Sequence, residues 1–400
     1  MTAQLAPLER ALGIVLGTGT PAALDALGPR DPLAAVEAAV ADALRRSPCL
    51  VSFSGGRDSS AVLAAAVRVA RREGLPDPIP ATIRAPGAPA AEESRWQELV
   101  VSHLGLRDWL RLPFDGELDL VGPIAARVLR RHGLLWPFNV HFHVPMLEAA
   151  RGGSLLTGIG GDELFRSATS PRAAAVLAGR VRPVPRDVRR VALHLAPRFA
   201  RRRWYARGGE PVHPWLTAAG DRAGRAALAA WEAAEPRGLR ARMRHVRAAR
   251  YLSVGTDGLA LVAEDHDAVL CHPLLDHRVW TAVQRSAPRG GHLGRSEAME
   301  AIFGALLPRE LLRRGDKAGF DEVFFHEHSR AFAASWEIVG DDYVDARALR
   351  EHWLGAAPLA QSFTLLQAAW LASGDRVEDP RAGSVEGVPA LRPAQSQDRQ

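Results

Sequence analysis

The chain has 400 residues, 47% of them hydrophobic, and a formal net charge of +6. That length can bury a large core in one big domain or two. No apolar run is long enough to span a bilayer, and no basic-then-apolar signal opens the chain, so a membrane protein is excluded and a cytoplasmic location is expected. Cys49 and Cys271, the 2 cysteines, supply neither a disulfide framework nor a zinc cluster. Of 51 basic residues only Lys317 is Lys. The Arg, Ala, Gly and Pro richness looks like a coding bias, so the positive charge is weak grounds for a nucleic-acid partner.

Residues 1–48 read as a short helical extension: a helix over Leu5–Leu16, a Gly/Thr/Pro turn, then a helix over Pro32–Arg46. Cys49-Leu50-Val51-Ser52-Phe53 is a short β-prone run, followed at once by Ser54-Gly55-Gly56-Arg57-Asp58-Ser59-Ser60. Ala61–Arg72 then has apolar residues at helical spacing. The pattern predicts a buried strand, a tight glycine turn and a helix N-terminus. Such a turn suits a phosphate, because Gly55 and Gly56 let backbone come close and the helix dipole favours negative charge. Ser54, Ser59 and Ser60 add hydroxyls, and Asp58 could hold magnesium against the same phosphates. An ordinary capped turn needs only one of these residues. The loop is neither the Gly-Lys-Ser/Thr phosphate loop nor the Gly-x-Gly-x-x-Gly dinucleotide turn.

Further on, Ile79–Ala85 reads as a second strand, Ala90–Leu104 as a helix, Leu106–Leu112 as a strand and Val121–Arg131 as a helix. Val144–Arg151 is a helix leading to the strand Ser154–Leu156, which runs into Thr157-Gly158-Ile159-Gly160-Gly161-Asp162-Glu163-Leu164-Phe165. Alternating strands and helices predict a parallel sheet flanked by helices, an α/β fold. Ligands then lie beyond the carboxyl ends of the strands, where Asp58 and Asp162 converge. The stretch from about 166 to 250 is an Arg-rich helical insert. It reads first as solvated helix faces and second as a surface for an acidic peptide or a nucleic acid. Helical patterning resumes from Tyr251 to Glu264, and residues 376–400 read as a disordered tail.

The Ser54–Ser60 loop resembles the pyrophosphate loop of the N-type ATP pyrophosphatases, and its form is similar to that of asparagine synthetases. Three more stretches resemble that family in order: Thr157–Phe165, Cys271-His272-Pro273-Leu274-Leu275-Asp276-His277-Arg278-Val279, and Leu306-Leu307-Pro308 with Arg313–Phe320. The resemblance covers roughly 45–375 and implies an adenine nucleotide alpha hydrolase-like domain over 49–375 with a large helical C-terminal portion. It implies ATP and Mg2+ as cofactors. Ser52, Phe53, Ser54, Gly55, Gly56, Asp58, Ser59 and Ser60 would bind ATP and its pyrophosphate, with Ile83 beside the adenine and Thr157, Gly158, Gly160 and Lys317 completing the site. Asp58 and Asp162 would hold the metal, and Lys317, a compact cation that Arg does not replace, would stabilise charge at the reacting centre.

The implied reaction is AMP-forming amide synthesis: a carboxylate is adenylated and an amine takes the acyl group. The motif forms resemble those of lasso peptide cyclases, so a precursor peptide with its leader-binding or protease partner is one expected partner and a small-molecule carboxylate another. Thr2 stands where the family's glutaminase has its nucleophilic cysteine, so this chain is expected not to hydrolyse glutamine. Ile159 and Val269 stand where acidic or tyrosyl bases are usual, and Arg295-Ser296 replace a usual Lys, which points away from free asparagine and β-lactam formation. His141, His143 and His272 are candidate polar groups near the acceptor. The rival readings are a small-molecule natural-product amide ligase, a tRNA-modifying ATP pyrophosphatase, and a non-catalytic family member.

Overall fold

In a computed structural model, residues 5–19, 28–86, 92–165, 171–207, 210–288, 294–315, 319, 321–337 and 339–374 are described. Five parallel strands form one sheet: β1 (Cys49–Ser52), β2 (Ile79–Arg84), β3 (Leu110–Pro113), β4 (Ser154–Leu156) and β5 (Val269–Cys271), in the order β3-β2-β1-β4-β5. Leu50 of β1 pairs with Ile79 of β2 and with Leu155 of β4. The chain builds outward from β1 to β3, then returns to the other side of β1 for β4. The switch point therefore falls between β1 and β4, which is where open α/β sheets bind ligands.

Both faces of the sheet are covered, as parallel pairing requires. Successive side chains take opposite faces. Cys49, Val51 and Leu156 enter one core with the helices Pro32–Leu44 and Arg57–Glu73 and with Trp280. Leu50, Ala81, Ile83 and Leu155 enter the other, with Met146, Leu147, Leu259 and Val262. A third cluster, built on Trp215, Trp353, Phe363 and Leu366, fills the helical C-terminal portion.

The helix Arg57–Glu73 buries eleven residues from Ser59 to Ala70 and stops at Gly74, whose φ of +67° is the left-handed conformation glycine adopts freely. The helix Pro32–Leu44 starts on Asp31, whose carboxylate accepts from the amides of Leu33 and Ala34. It packs on the helices Arg57–Glu73 and His277–Ser286, and its Glu37 pairs with Arg68 and Arg72. This helix, expected as part of an extension, is a wall of the sheet domain. The earlier helix Pro7–Leu12 is tied to the C-terminal portion through the Glu9–Arg250 ion pair and a bond from Trp215 Nε1 to Ala11 O of 2.9 Å.

Several expectations shift. The first helix, expected over Leu5–Leu16, spans Pro7–Leu12 and stops at Gly13, whose φ is +65°. β3 begins at Leu110, not Leu106, because Gly105 at φ +62° ends the preceding helix and the chain needs several residues to turn. The Val144 helix ends at Ala149 after a 3-10 turn over Val140–His143. β5 was not expected at all: it joins the sheet at its edge by pairing with β4. The Arg-rich stretch forms the helices Pro171–Leu177, Asp187–Leu195, Arg198–Tyr205, Ala218–Ala234 and Leu239–Arg247. Residues 376–400 lie outside the described residues.

Candidate active site

The loop after β1 is held on both sides. Phe53 donates its amide to Ala81 O, and its carbonyl accepts from Thr82 Oγ1 at 2.7 Å, fixing the exit of the strand. Gly55 has φ +85°, and a Cβ there would come within 2.8 Å of the Gln97 side chain. Ser54 Oγ accepts from Gly56 N at 3.2 Å, and Ser59 Oγ donates to Gly56 O at 3.2 Å, so the hydroxyls lock the turn before any ligand arrives. The helix Arg57–Glu73 that follows starts on Gly56 with no side-chain cap. Its first N–H groups and the positive end of its dipole therefore point into the cleft, as an anion site requires.

The loop after β4 lies directly on this turn. A Cβ on Gly158 would sit 2.7 Å from Ser59 N, and one on Gly161 would sit 2.2 Å from Asp58 Cγ. Glycine at both positions lets the two loops close, and Asp58 and Asp162 meet as expected. What lies between them was not expected. Arg295, at the start of the helix Arg295–Phe303, bonds Asp58 through Nη2 and Asp162 through Nη1. Burial pushes the Asp58 carboxyl up, and the Arg295 guanidinium offsets that.

Behind the turn, Arg314 donates to Gly55 O at 3.1 Å, pairs with buried Glu93, and stacks on Trp96 at 4.9 Å. The contacts make Arg314 a positioning residue for the glycine turn. Arg57 reaches Ser296 Oγ at 3.1 Å, so the Arg295 helix is latched to the loop helix at a second point.

These walls enclose a cleft of about 420 Å³. Ser52, Ser54, Gly56, Asp58, Ser59, Thr157, Gly158, Gly160 and Asp162 line it. Phe53, Gly55, Ser60 and Ile83 stand behind the lining: Phe53, Ser60 and Ile83 are buried, and Ile83 belongs to the core under β2. Lys317 lies outside the described residues. The sequence had not singled out Glu93, Glu163, Arg295 or Arg314 as site residues. Glu163 follows Asp162 in the same motif, accepts from Tyr251 Oη at 3.1 Å, and is pushed up by burial. Membership of a quoted motif was the available signal for Glu163 and Arg314. Arg295 was legible only as a missing Lys.

The histidines separate into two kinds. His141 is buried, with Nε2 on Leu118 O at 2.8 Å, and is structural. His143 lines the cleft, its buried Nδ1 has no hydrogen-bond partner, and burial with the nearby His272 pushes it down to about 4. His272 Nδ1 is 2.7 Å from Thr157 Oγ1, and burial pushes it down to about 4 as well. Both rings are therefore neutral near pH 7. Ile159, also in the lining, offers no proton acceptor. The cysteines are free and inert: burial raises both thiols, Cys271 to about 11.

The family model for asparagine synthase matches residues 33–372. The chain belongs to the asparagine synthase family. The match takes in the helix Pro32–Leu44 from its second residue, as its packing in the sheet domain requires. Membership makes the protein an ATP-dependent, amide-forming synthetase of the carbon–nitrogen ligase class. No curated protein matches the chain. In this asparagine synthase family member, the uncapped helix and the paired carboxylates stand together at the switch point of the sheet.

The donor set also suits magnesium. Asp58 Oδ1 is buried without a hydrogen-bond partner, and hard carboxylate oxygens with substrate phosphates are the ligands Mg2+ prefers. Among the described residues no group of three or more His, Cys, Asp or Glu side chains could hold a metal. An ion there would take Asp58 and Asp162 from the protein and complete its shell with phosphate and water.

Proposed function

We propose that this synthetase adenylates a peptide carboxylate and closes it onto an amine of the same peptide, giving a macrolactam, AMP and pyrophosphate. The observation that carries the adenylation step is the meeting of Asp58, Asp162 and the uncapped Gly56–Ser59 turn at one switch point. The peptide substrate rests on the forms of Thr157–Phe165 and Cys271–Val279, which resemble those of lasso peptide cyclases.

The turn and its hydroxyls bind the β- and γ-phosphates and leave the α-phosphorus facing the acceptor side of the cleft. A carboxylate oxygen attacks that phosphorus, the bond to the bridging α–β oxygen breaks, and pyrophosphate leaves. Arg295, already at the carboxylates, supplies positive charge beside the leaving group. Magnesium on Asp58 and Asp162 would supply further neutralisation of the pyrophosphate. The amine nitrogen then attacks the acyl carbon, the acyl–oxygen bond breaks, and AMP leaves. Neutral His143 takes the proton the amine loses, and the hydrogen bond between His272 and Thr157 holds Thr157 in the lining. Lys317 is assigned to the acyl centre on the sequence motif alone.

The test is isotopic. With a substrate peptide whose carboxylate carries 18O at both oxygens, AMP should gain one 18O and the peptide should lose the mass of one 18O-labelled water. Unlabelled AMP would exclude attack by the carboxylate.

A further inference from the structure

The Arg-rich stretch has a surface that the site does not use. Ten large hydrophobic residues are exposed among the described residues, and six of them fall between Leu177 and Trp204. Val188 is 72% and Phe199 76% exposed, and Leu177, Val184, Leu195 and Trp204 join them. Val188, Ala192 and Leu195 share one face of the helix Asp187–Leu195, by their spacing. Phe199, Arg202 and Arg203 share one face of the helix Arg198–Tyr205, which buries none of its residues. Arg189 stacks on Trp204 at 4.5 Å and so joins the two helices into one hairpin.

Charge on this hairpin has one sign. From residue 171 to 207 there are 11 Arg, and Asp187 is the sole acidic residue. Asp187 is taken by Arg172 and Arg190, while Arg182, Arg186, Arg198, Arg202 and Arg203 are exposed. Exposed apolar side chains in a basic field mark a binding surface for an anionic partner with apolar anchors. Single-stranded nucleic acid gains from flat aromatic stacking, which of the six only Phe199 and Trp204 could give, and Arg189 already lies over the Trp204 ring.

The hairpin is also wired to the cleft. Arg180, between it and the helix Pro171–Leu177, donates to Glu297 at 2.7 Å. Glu297 lies two residues from Arg295, on the helix that enters the Asp58–Asp162 pair. A surface tied to that helix fits a partner that the cleft must receive.

We propose that the 177–204 hairpin docks an acidic, amphipathic peptide segment, remote from the reacting groups of the same substrate. This rests on the peptide reading of the site. Its test needs no turnover, so the two readings fail separately. Full-length protein, without ATP, is titrated with a labelled peptide of alternating Glu and Leu blocks. Poly-Glu of equal charge, phosphatidylglycerol vesicles and an oligo-U RNA are run alongside. Phe199→Ser and Arg202→Glu/Arg203→Glu change exposed side chains only, so folding is preserved; far-ultraviolet dichroism checks this.

The expected result is saturable binding of the Glu/Leu peptide, at least about tenfold tighter than poly-Glu and weakened about tenfold or more in each variant. Tighter binding of vesicles or RNA than of the peptide would overturn the proposal, as would equal affinity in wild type and variants or no peptide binding. ATP-dependent release of AMP by a protein that fails this titration would leave the adenylation reading standing and remove the docking surface alone.

Discussion

At the scale of single residues, Arg295 takes a place that the sequence did not announce, and His143, a candidate from the sequence, lines the cleft. Arg295 joins carboxylates 237 and 133 positions away, a pairing that no local pattern encodes. Its loss should act twice. Arg295→Ala should lower the rate of AMP formation about 10²–10³-fold, the scale of one lost electrostatic stabiliser. It also removes the cation that holds Asp58 down, so the acid limb of the rate profile should move to higher pH. An unmoved limb in the pH profile would free Asp58 from Arg295. His143 should separate the two half-reactions. His143→Phe should retain exchange of labelled pyrophosphate into ATP while amide formation falls about 10²–10⁴-fold. Loss of both together would place His143 in adenylation instead.

At the scale of elements, two close approaches decide whether the site forms. Gly161→Ala puts a methyl 2.2 Å from Asp58 Cγ, so either the β4 loop or the carboxylate must move. Adenylation should be lost with the melting temperature only slightly lowered, because the clash is at the cleft and not in a core. Asp119 shows the reverse pattern. It is fully buried and accepts from the amides of Val121, His326 and Ser329 and from Ser329 Oγ at 2.6 Å. Asp119→Ala leaves these donors without a partner, at about 1–3 kcal/mol for each one that stays buried. A chemical denaturation midpoint near wild type would contradict that accounting.

The elements also show what could be read in advance. β1, the glycine turn and the helix after it were legible because strand length, turn chemistry and helical spacing agree over adjacent residues. The helix Pro32–Leu44 was legible as a helix, but its place in the main core depends on Trp280 and the helix Arg57–Glu73, far along the chain. β5 becomes a strand only because β4 offers it an edge, through the pairing of Leu155 with Leu270. Asp58 and Asp162 were legible because their loops follow neighbouring strands. Arg295 was hidden because its partners are set by tertiary closure.

At the scale of the whole molecule, burial of neutral His143 and His272 ties stability to pH. Each ring is pushed down to about 4 in the folded chain, below its ordinary value in an unfolded one. Between about pH 6.5 and 4 the unfolded state binds more protons, so stability should fall as pH falls through that window. The melting temperature should rise on going from pH 4.5 to 7, and His143→Phe should flatten the slope. An unchanged slope in the variant would assign the acid sensitivity to other groups.

The function of the whole molecule turns on nucleotide chemistry at the β1–β4 switch point. The direct measurement is the nucleotide product when the purified protein turns over a competent carboxylate with ATP and Mg2+. AMP and pyrophosphate should form in equal amounts with the amide, and Asp58→Asn should abolish both while its thermal unfolding stays cooperative. ADP and phosphate as the products, or full AMP formation by Asp58→Asn, would contradict the assignment.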